Sequence, residues 1–163
     1  LANSSGIKVG ITRGTQIPTR WIDQGASQAL PIFRVGNRLL SGQIEVAIKA
    51  HVSDRTDWRK MLKGVPDDVD LIGRRDELLL KVEDEIEQIK KEHGETNVEF
   101  LANEKPVGID FPVEEYPEKV KSLNFDKTPD IEGVLQGIKG QYLILSTGVL
   151  NIRKFAGYHI SLG

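Results

Sequence analysis

The sequence predicts an α+β fold, and three observations predict it. Short strand-like and helical segments alternate over residues 1–64. A long helical pattern fills residues 71–92. From residue 131 onward, strand patterns follow one another across glycine turns. The 163 residues, 39% hydrophobic and 28% charged, have the balance of one ordinary globular domain or two small ones. No apolar run reaches 18 residues, which excludes a membrane-spanning helix. No basic start leads into an apolar stretch, so no signal peptide is expected and a cytoplasmic location is. Cysteine is absent, which excludes disulfides and thiolate metal sites within this chain. The chain opens at Leu1 rather than Met, as a processed or truncated product would.

Each element follows from local chemistry. Ser4-Ser5-Gly6 is a turn signal, and Ile7 to Thr12 alternates as a half-buried strand does. Arg13 to Gln16 is a polar loop. Pro18 suits a first helical turn, so a short helix is expected from Pro18 to Gln24, ended by Gly25. Ala29 to Val35 reads as a strand containing an edge-type Pro31. Asn37 is placed to cap a helix over Arg38 to Val52, on which Leu40, Ile44, Ala47, Ile48 and Val52 share a face. Ser53-Asp54 breaks the chain and caps it again, and a short helix over Thr56 to Lys63 carries Trp58 and Leu62 on one side.

The middle of the chain predicts a single helix from Leu71 to Glu92, with Leu78, Leu79, Val82, Ile86 and Ile89 as its stripe and Gly94 as its stop. So charged a helix reads as a solvated connector. Val98–Leu101, Val107–Val113 and Val120–Phe125 read as short strands. Gly133–Ile138, Gln141–Leu145, Val149–Ile152 and Tyr158–Leu162 suggest an antiparallel meander or small barrel. The organisation expected is therefore an α/β unit over 1–64, an acidic connector helix over 65–95 and an antiparallel β unit over 96–163.

Charge is unevenly spread. Residues 1–64 carry ten Lys and Arg against four Asp and Glu, a net +6, whereas residues 65–128 carry a net −9. A basic first third fits an anionic partner, DNA or RNA; uneven surface charge is the plainer reading. No nucleophile elbow, dinucleotide fingerprint or phosphate-binding P-loop pattern occurs. His51, His93 and His159 form no closely spaced ligand pair.

Gly6 to Ala50 is the segment with chemical content. Gly10 inside a strand marks either a close backbone approach or simple packing. Arg13 and Arg20 on one concave face would make a phosphate-gripping donor set. A carboxylate facing them, Glu45, could hold Mg²⁺ or Mn²⁺ with water. Such a set is the minimum for metal-assisted phosphodiester hydrolysis. Glu45 with Lys49 is equally an i,i+4 pair supporting its own helix. Arg20 could instead stack on Trp21. Near the C-terminus, Arg153-Lys154 with Tyr142, Phe155 and Tyr158 combines basic and aromatic groups as single-strand-binding faces do, or forms a core and a solvated turn.

The run Ile7-Lys8-Val9-Gly10-Ile11-Thr12-Arg13, followed by Arg20 and then by Glu45 on a helix, resembles the GIY-YIG nuclease superfamily. The resemblance implies a small mixed sheet with helices. It assigns Val9-Gly10 to the end of the second signature strand, Arg20 to the first-helix arginine and Glu45 to the metal ligand. Lys8 stands where many members have the second tyrosine, and the first signature strand would precede Leu1. The implied site, catalytic at Lys8, Arg20 and Glu45, is therefore degenerate and this fragment inactive, leaving a non-catalytic binding or protein-interaction module as the alternative. Nucleic-acid contacts are assigned to Arg13, Arg20, Arg153 and Lys154.

A longer resemblance spans nearly the whole chain. Leu1 to Arg13, Gln16 to Ala26, Gly137 to Ile144 and Gly148 to Tyr158 resemble an uncharacterised bacterial family of unknown function, the two-seven-nine-seven family. That resemblance implies a cysteine-rich, zinc-binding segment ahead of Leu1 and no established activity.

Overall fold

The structure, a computed structural model, describes residues 1–53 and 55–163, so the Asp54 half of the expected Ser53-Asp54 break lies outside the described residues. The class is α+β, with five α-helices and three antiparallel sheets among the described residues. The first sheet begins with strands β1 (Ala2–Asn3) and β2 (Ile7–Lys8), joined across Ser4-Ser5-Gly6, where Gly6 takes a φ of 143°. Strand β3 (Gln28–Ala29) pairs with the other edge of β1. All named strand pairs are antiparallel, so the expected mixed sheet is not formed; the chain returning from the long helix over 38–49 meets the sheet in parallel only as an isolated bridge from Ser53 to Lys8.

The strand expected through Thr12 stops at Lys8. The Val9 amide then donates to the Ser53 carbonyl at 2.9 Å, and residues 10–18 form a loop with one 3₁₀ turn at Gly14–Gln16. Helix α1 (Thr19–Asp23) follows and turns at Gly25. Gly25 is required there: its φ is +64°, and a Cβ would stand 2.2 Å from Met61 Sδ.

Pro31 divides the expected Ala29–Val35 strand, because it has no amide to donate to a ladder. Its second half, β4 (Phe33–Val35), pairs with β5 (Val98–Phe100), and β6 (Val107–Gly108) completes the first sheet in the order β2-β1-β3-β6. Helix α2 (Arg38–Lys49) starts where expected, since Asn37 Oδ1 accepts from the Leu40 amide at 3.0 Å. Leu40, Ile44 and Ile48 form its buried face.

The single helix expected over 71–92 is two. After α3 (Trp58–Met61) come α4 (Leu71–Lys81) and α5 (Glu83–His93), separated at Val82, whose backbone (φ −120°, ψ 17°) is not helical. Nor is the pair a solvated connector. Leu71, Leu78, Val82, Ile86 and Ile89 join Leu1, Val9, Leu30, Leu40, Ile44, Ile48 and Val98 in one core. Apart from the buried Arg75, the charged residues of the two helices are half-buried or exposed, as an amphipathic helix requires. Fully burying one such side chain is worth about 1.5–3 kcal/mol, so this stripe binds the helices to the sheet and α2.

A second, smaller core joins Met61 and Leu62 beside α3 to Ile144 and Val149. The latter two belong to a three-stranded meander, β7 (Leu135–Lys139), β8 (Tyr142–Leu145) and β9 (Gly148–Asn151). The meander stays open, so the barrel alternative does not form. Val107–Val113 contributes β6 and one bridge from Val113 to Gly137, and Val120–Phe125 only one bridge from Ser122 to Val149. The strand expected at Tyr158–Leu162 is absent. A 3₁₀ turn at Ile152–Phe155 instead buries Phe155, with Phe125 and Tyr158 edge-on at 5.0 and 5.2 Å.

Candidate anion-binding cleft

A cleft of about 1150 Å³ opens beside the first sheet, between the 10–18 loop with α1 and the exposed end of α2. Its basic lining comes from three places. Lys8 ends β2, Arg13 and Arg20 come from the loop and α1, and Arg38 starts α2. Arg38, Ser41 and Glu45 recur at helical spacing along the α2 face that lines the cleft, with Ile44 and Ile48 beside them. Arg34 also lines it but is paired with Glu99 at 2.9 Å.

Lys8 is only 6% exposed. Its Nζ donates to Thr56 Oγ1 at 2.6 Å and to Gln24 Oε1, both neutral acceptors. A buried ammonium without a carboxylate is uncommon. Burial first, and then the Arg20 guanidinium, lower its pKa from the usual 10.5 to about 8. The side chains of Arg13, Arg20 and Arg38 make no hydrogen bond or ion pair among the described residues.

The structure therefore brings Lys8, Arg13, Arg20 and Glu45 to the lining of one cleft, while no hydrogen bond or ion pair ties Glu45 to either arginine. Glu45 is half-buried. No group of three or more His, Cys, Asp or Glu that could hold a metal occurs among the described residues. What Glu45 offers is a single carboxylate, and Mg²⁺ is commonly held by one or two carboxylates with waters and substrate phosphates. Mg²⁺ or Mn²⁺ thus fits here only in company with a bound phosphate.

Arg153 and Lys154 are not in this lining. Arg153 pairs with Asp23 at 3.1 Å, and Lys154 reaches Asp126 at 3.8 Å. The aromatic groups near them are already engaged: Tyr142 stacks on Trp58 at 5.7 Å, and Arg59 lies 4.3 Å over the Trp58 ring. Arg20 is not stacked on Trp21, which lines the cleft half-buried. Gly10 lines it too, with open space where a Cβ would stand, so no element packs against it.

Three contributors escape the sequence. Arg38 could have been found by extending the helical spacing of Ser41 and Glu45 back one turn. Gln24 and Thr56 carry no local signal as partners of Lys8, since they lie 16 and 48 residues away.

A family model described as "Protein of unknown function (DUF2797)" matches residues 1–160. The chain belongs to the DUF2797 family. Comparison with curated proteins and with solved structures gives no match. DUF2797 membership spans both cores and all the cleft residues, so the cleft and the meander are parts of one family unit.

Proposed function

We propose that the cleft binds the phosphate backbone of a nucleic acid, DNA or RNA. One observation carries the reading: Arg13, Arg20 and Arg38, which have no partner among the described residues, line the same cavity as Lys8, a buried residue whose ammonium meets no carboxylate among the described residues. Cations so placed are satisfied by an anion from outside, and guanidinium forks match phosphate oxygens. Fluorescence anisotropy with a labelled single-stranded oligonucleotide at low salt tests it. Binding is expected, weakened at least about fivefold by Arg13→Ala or Arg20→Ala. Absence of binding to both DNA and RNA overturns it.

A second reading, hydrolysis at a degenerate GIY-YIG-like site, is favoured by the placement of Glu45 on the cleft face of α2 one helical stripe from Arg38. A divalent ion held by Glu45 and substrate would polarise the phosphate. Lys8 and Arg20 would offset charge on its oxygens. Cleavage of plasmid DNA that requires Mg²⁺ or Mn²⁺ and vanishes in Glu45→Ala would support it. Binding without cleavage under either ion leaves a non-catalytic nucleic-acid module.

A further inference from the structure

The amine of Lys8 is a chemical resource that gripping a phosphate does not use. Lys8 and Arg20 both line the cleft, the Lys8 amine is held by Gln24, also of the lining, and by Thr56, and the nearby cation that acts on it is Arg20. A lysine held away from water beside another cation is the arrangement that frees an amine lone pair for attack on carbonyl carbon. We propose that Lys8 Nζ condenses with the aldehyde of a phosphate-bearing substrate whose phosphate is held by Arg20. The proposal rests on the reading of the cleft as a phosphate site and adds a covalent step to it.

The step balances without a co-reactant. The Nζ lone pair adds to the aldehyde carbon, and one of the two amine protons passes to the carbonyl oxygen to give a carbinolamine. The C–O bond then breaks, the hydroxyl taking the second amine proton to leave as water while nitrogen forms a double bond to carbon. Nothing is oxidised or reduced, and water reverses the step. Thr56 Oγ1, 2.6 Å from Nζ, is the hydroxyl nearest to relay the proton. With the pKa of Lys8 near 8, about half of the side chain is neutral and nucleophilic at pH 8, whereas an ordinary lysine is almost wholly protonated. Lys139 shows what separates this amine from a merely buried one. It is fully buried, its Nζ donates to the Gly64 carbonyl at 2.8 Å, the Phe111 and Tyr116 rings lie near it, and it does not line the cleft.

An aldehyde beside a phosphate has two sources. One is a base-lost nucleotide within a DNA strand, whose opened sugar exposes an aldehyde at C1′. The other is a small free phosphorylated aldehyde. The experiment incubates the full chain with an abasic-site oligonucleotide in one arm and pyridoxal 5′-phosphate in the other. Sodium borohydride then fixes any imine, and peptide mass mapping locates it. The expected result is an adduct on Lys8 at least about tenfold above any other lysine, lost in Lys8→Arg. Adduct in the oligonucleotide arm alone assigns a nucleic-acid aldehyde; adduct in the small-molecule arm as well assigns a free one. Adducts scattered over surface lysines, or on the Leu1 amine, with Lys8 unmodified in both arms, overturn the proposal. The mapping is read on the unsubstituted chain, so misfolding of the variant does not blunt it. Binding of an intact oligonucleotide without any Lys8 adduct refutes this step while leaving the phosphate-site reading standing.

Discussion

Lys8 and Lys139 are two buried ammonium groups without carboxylate partners among the described residues, and they hold different positions in the protein's free energy. Burial lowers the pKa of each from 10.5 to about 8, with Arg20 adding to the effect at Lys8. Below about pH 8 both folded and unfolded chains hold the proton, so the cost of the buried charge is present in full. Between about pH 8 and 10.5 the unfolded chain holds more protons, and stability therefore rises with pH. The shift of each group corresponds to at most about 3 kcal/mol across that window. Urea midpoints should accordingly climb from pH 7.5 to 9.5, and the climb should be shallower in Lys139→Met; an equal climb in the variant would show that Lys139 does not carry it. Gly25 is the other residue with a sharp consequence. Gly25→Ala forces a side chain onto a left-handed backbone and into Met61, with an expected loss of about 1–3 kcal/mol in a denaturant melt. Gly25 was legible as a helix stop because its type and position announce it; its collision with Met61 was not, because the two are 36 positions apart in the chain.

Helices were legible where their ends carry chemistry. Asn37 announced α2 and caps it, and Asn37→Ala should cost about 1 kcal/mol in thermal unfolding. The break at Val82 was not legible. Lys81-Val82-Glu83 holds neither Gly nor Pro, and the apolar stripe runs straight through it. What bends the chain is packing, since Val82 itself is fully buried in the core. Burial also separates a core element from a solvated connector. Leu78→Ala should destabilise by about 2–5 kcal/mol, as a cavity in a shared core does. A loss below about 1 kcal/mol would mean that α4 is held only loosely. Strands were the least legible elements, because most are two or three residues long and periodicity cannot fix so short a run. The β7–β9 meander was readable because glycine turns at Gly140 and Gly148 separate longer apolar runs.

At the scale of the molecule, charge and core are arranged at cross purposes to the chain's linear order. The acidic middle segment supplies α4 and α5 to the same core that underlies the basic cleft, and of its acids Glu104 lines the cleft while Glu99 pairs with Arg34 there. Residue type and rough location made Lys8, Arg13, Arg20 and Glu45 readable from the opening third. Arg153 and Lys154 were singled out for their type alone, and tertiary pairing with Asp23 and Asp126 occupies them elsewhere. The central claim is that unpaired cations of one cleft meet phosphates. The salt dependence of single-stranded oligonucleotide affinity, in the unsubstituted chain and in Arg20→Ala, tests it most directly. Each phosphate contact contributes a slope of about −0.7 in log K against log salt, so the variant should lose about that much of the slope. An unchanged slope, or affinity indifferent to salt, would contradict the account.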